Sequence, residues 1–303
     1  MASKRAMVAV ACLLASGLGA RADERTFAFT AVDFPGAVFT TAWGINGQGE
    51  VVGSYRDVAG RLHGFVLSGE TFRSIDFPGS VTTDARGISP AGDVVGSYRR
   101  AGEPTLNAHG YLLTRQGEFL PADFPGHLNT ILQRIAPDGT IVGCHHDTDL
   151  MGTMHGIVIT GENTTALDMP ASMHNGSTPD LSMIVGLYTE METGRGRGYL
   201  LWSGDFLPFD VPGSTFTAGW DINPRGDVVG VYRDAAGRFH GFVVDTSRQG
   251  AASDWVFTSV DYPGAAATRA FGINAGGDVV GSYADATGRT HGFLASRTGR
   301  HNQ

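Results

Sequence analysis

Residues 33–79 read DFPGAVFTTAWGINGQGEVVGSYRDVAGRLHGFVLSGETFRSIDFPG and begin and end on the same tetrapeptide. Four short strands fit between those two marks. Thr40 to Asn46 is the first, and the Gly47-Gln48-Gly49 turn leads to Val51 to Arg56. Asp57-Val58-Ala59-Gly60 turns the chain again, with aspartate capping its own backbone and glycine supplying a positive φ. Leu62 to Leu67 is the third strand, Ser68-Gly69 a further turn, and Phe72 to Phe77 the fourth. Pro78 ends the pairing, because proline has no N–H to donate.

The same order of elements recurs along the chain. The opening tetrapeptide returns at Asp76, Asp123, Asp168 (as Asp168-Met169-Pro170-Ala171), Asp210 and Asp261, at intervals of 43, 47, 45, 42 and 51 residues. Val51-Val52-Gly53 reappears at Val94, Ile141, Ile184, Val228 and Val279. His63-Gly64-Phe65 reappears at His109, His240 and His291, more loosely at His155, and as Arg197-Gly198-Tyr199 in the fourth copy. Four strands in about 45 residues is the length of one propeller blade. The ends of the chain choose between a ring and an open array. Phe27 to Phe34 matches a fourth strand, and His291 to Ala295 matches a third. Paired, they complete one blade and remove the free edges that an open β-solenoid would expose. The sequence therefore predicts an all-β fold, a six-bladed β-propeller of four-stranded blades. Its ring is closed by pairing the N-terminal strand with the C-terminal blade.

Composition agrees with that reading. The chain has 303 residues, 44 of them glycine, with 42% hydrophobic and 17% charged residues. That is too apolar for a disordered chain and too rich in glycine for a helical one. Residues 1–22 read as a cleaved signal peptide: Lys4 and Arg5, an apolar run from Ala6 to Leu18, then Ala20-Arg21-Ala22. Residues 23–303 form the single six-repeat domain, secreted to the periplasm or the extracellular space. Setting aside Lys4, Arg5 and Arg21 changes the net charge from −8 to −11, with 19 basic against 30 acidic residues. So acidic a surface repels phosphate backbones and anionic lipid, which argues against nucleic-acid and membrane partners. Lys4 is the only lysine, so the mature chain has none for a Schiff base or a phosphate loop.

The repeats resemble the HAF family of extracellular repeats, named for a histidine-alanine-phenylalanine motif that stands here as His63-Gly64-Phe65 and His291-Gly292-Phe293. The resemblance spans residues 23–303 and implies a secreted bacterial repeat protein. It implies no activity, substrate or catalytic residue.

Residues that recur once per copy fit structural work. The repeated histidines are expected to tie backbone to an aspartate or carbonyl, and the repeated aspartates to cap turns. Variation between copies is where a ligand site would be written. Counting from the glycine of proline-glycine, position four is always threonine, whereas position seven is Trp43, Arg86, Gln133, Trp220 and Phe271. Position five is Thr41, Asp84, Ile131, Ala218 and Arg269. These lie on the first strand, beside the central channel. Trp43, Arg86, Gln133, Trp220 and Arg269 are therefore the candidate ligand-binding residues, with aromatic faces and planar donors suited to a sugar ring or a peptide. Packing of the same side chains between blades is the competing explanation.

Copy three alone reads Cys144-His145-His146-Asp147-Thr148-Asp149. Cys144 and His146 share a strand face and, with Asp149 or His174, present donor types that zinc or copper accepts, although three ligands on one side are not assured. No metal and no cofactor is assigned. No glycine-x-serine-x-glycine elbow, histidine-glutamate-x-x-histidine or dinucleotide fingerprint occurs. The function expected is a monomeric, non-enzymatic propeller that binds an extracellular glycan or protein at its channel face. The alternative is a polysaccharide hydrolase or lyase using a channel carboxylate such as Asp84.

Overall fold

The computed structural model describes residues 26–104, 107–127, 129–146, 154–161, 163–167, 172–247 and 252–298. The leader, Asp147, Asp149 and the Asp168-Met169-Pro170-Ala171 turn lie outside the described residues.

Strand β1 (Phe27–Val32) comes first. Blade 1 then runs through β2 (Phe39–Ile45), β3 (Val51–Arg56), β4 (Leu62–Ser68) and β5 (Thr71–Ile75). Blade 2 holds β6 (Ser80–Ile88), β7 (Val94–Arg100), β8 (His109–Leu113) and β9 (Phe119–Pro121). Blade 3 holds β10 (Asn129–Ile135), β11 (Ile141–His146), β12 (Met154–Thr160) and β13 (Asn163–Leu167). Blade 4 holds β14 (Ser172–Ser177), β15 (Met183–Glu190), β16 (Arg195–Trp202) and β17 (Asp205–Phe209). Blade 5 holds β18 (Phe216–Ile222), β19 (Asp227–Arg233), β20 (Phe239–Asp245) and β21 (Phe257–Val260). Blade 6 holds β22 (Ala267–Ile273), β23 (Val279–Ala284) and β24 (Thr290–Arg297), with β1 as its fourth strand. All pairings are antiparallel, and the innermost strands β2, β6, β10, β14, β18 and β22 touch in sequence around a closed ring. The only helix among the described residues is a three-residue 3₁₀ turn, Ala252–Asp254.

The ring closes as the partial repeats require. β1 runs against β24 from Phe27 opposite Arg297 to Val32 opposite Gly292, so first and last segments share six paired positions. Each blade buries its Val-Val or Ile-Val pair and the large apolar residue that follows the next strand's glycine: Val51, Val52 and Phe65 are at most 1% exposed, as are Val228, Val229 and Phe242. A fully buried side chain of this size contributes about 1.5–3 kcal/mol.

Repeated residues bind neighbouring blades together. The position-four threonine hydroxyl accepts the amide of the residue before each proline: Phe34 N to Thr40 (3.2 Å), Phe77 N to Thr83 (2.9 Å) and Tyr262 N to Thr268 (3.0 Å). The arginine after each aspartate-x-x-glycine turn reaches across to the next blade. Arg61 donates to Ser80 O at 3.0 Å, Arg238 to Ala265 O at 2.6 Å and Arg289 to Ala37 O at 2.7 Å, and Arg195, after the Glu190–Gly194 turn, donates to Ser214 O at 2.9 Å. On the opposite face Asn46 donates to Ser89 O at 3.3 Å, and Asn223 to Asn274 O at 3.2 Å.

The glycine of Val-Val-Gly answers a steric demand. A Cβ on Gly230 would collide with Ala218 O and with the Phe242 ring, and the same clash arises at Gly53 with Thr41 O and Phe65. Gly230→Ala is expected to cost about 1–3 kcal/mol through overpacking, read as a lowered urea midpoint with an unchanged m-value.

Candidate functional site

Each innermost strand carries one extra residue near its C-terminal end, and β6 carries a second between Ser80 and Thr82. Pairing slips between Ala42 and Gly44, Ala85 and Gly87, Leu132 and Arg134, His174 and Gly176, Gly219 and Asp221, and Ala270 and Gly272. The residues left out are Trp43, Arg86, Gln133, Asn175, Trp220 and Phe271. A β-bulge re-aims the side chain it frees, and here all six freed side chains turn to the axis.

They meet there. The Trp43 ring lies 4.3 Å from Phe271 and 5.7 Å from Trp220, and Trp220 lies 5.0 Å from Phe271. The Arg86 guanidinium sits 4.5 Å from the Trp43 ring centre, a cation–π contact, and donates to Gln133 Oε1 at 3.2 Å. Gln133 in turn points at Met173 Sδ, 3.7 Å away, and Asn175 donates to Gly219 O at 2.8 Å. Arg86 Nε donates to Asp84 Oδ2 at 2.8 Å, Asp84 also accepts from Ser54 Oγ, and Trp43 Nε1 donates to Ser54 Oγ at 3.1 Å. The result is a plate with a polar half (Asp84, Arg86, Gln133, Ser54) and an aromatic half (Trp43, Trp220, Phe271). Trp43, Arg86 and Trp220 keep part of their surface exposed, while Gln133 and Asn175 are buried.

The axis is closed beneath the plate by the following residue of each bulge. That residue is Gly44, Gly87, Gly176 and Gly272 in four blades, and Arg134 and Asp221 in the other two. Arg134 donates to the carbonyls of Arg86 (3.0 Å), Gln133 (2.7 Å), Trp43 (3.0 Å) and Phe271, and its Nε faces Asp221 Oδ2 at 3.0 Å. Asp221 also accepts the amides of Ile222 and Ile273. Burial pushes the Asp221 carboxyl upward, and the charge of Arg134 works against that shift.

Four of the five sequence-predicted site residues thus converge: Trp43, Arg86, Gln133 and Trp220. Arg269 does not join them. Its guanidinium lies 4.2 Å from the Phe239 ring centre on blade 5, and burial lowers its pKa. It stands two residues before the bulge residue Phe271 and lies over Phe239 of the preceding blade, whereas Asp84, at the same position of blade 2, joins the plate through Arg86. Asn175 was missed because the fourth copy is shorter between its proline turn and first strand. Aligning the copies on Gly44, Gly87, Gly176 and Gly272 would have found it. The same alignment exposes Arg134 and Asp221 as charges where other copies have glycine.

The Cys144–His146 pair is real as a contact, with Sγ 3.4 Å from Nε2. Cys144 is enclosed by Met154, Met173, Leu187 and Ala218, and burial pushes its thiol up to about 12. His174 is turned elsewhere: its Nδ1 bonds the Tyr199 hydroxyl, and burial pulls it down to about 4. Among the described residues no three His, Cys, Asp or Glu side chains are placed to hold a metal, and Asp149 lies outside them.

The repeated histidines and aspartates pair with each other. His63 Nδ1 is 2.7 Å from Asp76 and Nε2 3.3 Å from Asp57. His109 meets Asp123 and Glu103 at 2.8 Å each, and His291 meets Asp33 (2.9 Å) and Asp285 (3.3 Å). In blade 4 Arg197 takes the same place, bonding Asp210 at 2.9 Å and Glu190 at 3.2 Å. His63, His109, His240 and His291 each stack on a tyrosine, as His63 on Tyr55 at 4.9 Å, whereas His155 stacks on His145, and Tyr55 in turn stacks on the aromatic of the preceding turn, Phe34, at 3.6 Å. Aspartate and aromatic are neighbours in sequence at Asp33-Phe34, Asp76-Phe77, Asp123-Phe124 and Asp261-Tyr262, so these turns hold one blade by the carboxylate and the next by the ring. The expected turn capping therefore gives way to a His–Asp belt around one face.

No protein-family model and no curated protein matches the chain. Among solved structures the chain is similar to six-bladed and related propellers. TolB from Acinetobacter baumannii superposes with a TM-score of 0.54 at 13% identity, covering 83% of this chain and 64% of that one. The chain thus spans less than two thirds of that TolB. A gluconolactonase from Xanthomonas campestris gives 0.52 at 12% identity over 90% of both chains. The fucose-recognising Aleuria aurantia lectin, a six-bladed β-propeller, gives 0.51 at 10% identity over 86% of this chain and 95% of that one. Identities so low establish the fold alone.

Burial pulls the His109 imidazole down, but its bonds to Asp123 and Glu103 outweigh that and raise its pKa. A raised histidine pKa stabilises the fold fully below the unfolded value of about 6.5, and that contribution is lost as pH rises through the folded value. His109→Gln is therefore expected to lower the Tm more at pH 5.5 than at pH 8.5, measured by calorimetry across that range.

Proposed function

We propose that this protein is a secreted, non-enzymatic β-propeller of the HAF-repeat kind that binds an extracellular glycan or protein at its channel face. A glycan fits best. The observation that carries the reading is the plate of Trp43, Trp220 and Arg86: two indoles and a guanidinium brought to one place by bulges, partly exposed, on the side of the proline-glycine turns. Its contacts to the position-five residues Asp84, Met173 and Ile131 place it on that side of the axial Arg134. Aromatic faces take the C–H face of a sugar ring, and arginine and glutamine supply directional donors to hydroxyls. The leader-like N-terminus and the acidic balance support an extracellular address.

The hydrolase or lyase reading is weaker, because it needs a carboxylate that is free to act. The innermost strands carry two, Asp84 and Asp221, and each is ion-paired with an arginine at 2.8 and 3.0 Å.

A glycan array followed by tryptophan-fluorescence titration of its hits tests the proposal. Binding is expected to shift the emission and to weaken at least about tenfold in a Trp43→Ala, Trp220→Ala double variant, while Arg269→Ala binds as wild type does. An array without hits, or a double variant that binds unchanged, would count against it.

A further inference from the structure

A groove between blades 1 and 2 opens on the face opposite the proline-glycine turns. It encloses about 660 Å³, inside the roughly 300–1,000 Å³ typical of small-ligand sites. Its floor is apolar, formed by the buried Val66, Ile88 and Leu113. Two exposed arginines line it, Arg73 from β5 and Arg115 from the turn between β8 and β9. Neither guanidinium has a hydrogen-bond or ion-pair partner among the described residues. Glu50, on the same wall, is tied to Asn46 Nδ2 at 2.8 Å.

Arg73 does nothing that the repeat requires. It pairs with Val66, and the residues at that register in the other blades are Leu120, Thr165, Leu207, Thr258 and Thr30. The loop bearing Arg115 is fixed by its own backbone amide, which donates to Asp93 Oδ1 at 2.8 Å and leaves the guanidinium uncommitted. Both uncommitted guanidinium groups face the one cavity.

We infer that this groove is a second binding site, for a carboxylate-bearing oligosaccharide of the uronate class. The guanidinium fork matches a carboxylate with two parallel bonds. Val66, Ile88 and Leu113 offer an apolar floor to the C–H face of a pyranose. Gln48 and Gln116 at the rim supply amides for ring hydroxyls. The site is separate from the channel plate and stands or falls independently of it.

Titration calorimetry with trigalacturonate, beside maltotriose as a neutral sugar and tetraglutamate as an acidic peptide, tests the inference on the intact chain. Trigalacturonate is expected to bind best and to weaken in 0.5 M NaCl. It should lose at least about tenfold in affinity in Arg73→Ala, Arg115→Ala, whose exposed side chains leave folding unchanged, and in Ala91→Trp, which fills the groove. The Trp43→Ala, Trp220→Ala variant should bind it as wild type does. No binding of trigalacturonate, equal binding by the arginine double variant, or tetraglutamate binding as tightly as trigalacturonate would overturn it.

Discussion

The Arg134 guanidinium lies on the propeller axis, bonded to carbonyls of four blades. Six innermost strands meet at a point where backbone carbonyls converge and no strand pairs across. Buried carbonyls of this kind need donors, and water has little room among Gly44, Gly87, Gly176 and Gly272, where even a Cβ would clash with the neighbouring backbone. Arg134 supplies donors to four carbonyls from blades 1, 2, 3 and 6, and Asp221 of blade 5 balances its charge. A flat fork with five N–H groups can do this, whereas an ammonium offers three donors in the wrong directions. The bulges that present the channel side chains and the glycines that let the strands close in are both arranged around that group.

Much of the fold was legible in the sequence because its repeats are imperfect copies of one solution. Asp33, Thr40, Gly53 and His63 recur because each meets a requirement that arises in nearly every blade: a histidine clamp, a turn amide, a close approach and a ring nitrogen for the belt carboxylates. The blade boundaries and the pairing of β1 with β24 followed directly from that order. What could not be read was any residue whose role depends on the axis. Arg134 and Asp221 are far apart in sequence and become partners only when blades 3 and 5 face each other across the ring. Arg269 stands at the position that carries Asp84 in blade 2, and only the packing of neighbouring blades decides that Asp84 meets the plate while Arg269 lies over Phe239. In copy four Arg197 takes the histidine's place in the belt, since its guanidinium donates to the equivalent two carboxylates, Asp210 and Glu190.

The molecule thus separates structure from specificity by position. Belt, turns and Val-Val-Gly strands are the same in nearly every blade, and they hold the ring from its rim. The bulge positions vary between blades, with tryptophan in blades 1 and 5, and they hold an asymmetric plate at its centre, polar toward blades 2 and 3 and aromatic toward blades 1, 5 and 6. The groove between blades 1 and 2 adds a second departure from the repeat, this time in charge. Likeness to TolB, a gluconolactonase and a fucose lectin reaches only as far as the shared propeller. Chemistry belongs to the departures.

Equilibrium urea unfolding of Arg134→Met and Arg134→Lys tests the central role of the axial guanidinium most directly. Removing one partner of a buried ion pair costs about 3–5 kcal/mol, so Arg134→Met is predicted to lose that much. Arg134→Lys should recover only a minor part, because charge alone does not replace the four carbonyl bonds. A lysine variant as stable as wild type, or a methionine variant that unfolds at the wild-type midpoint, would contradict the account.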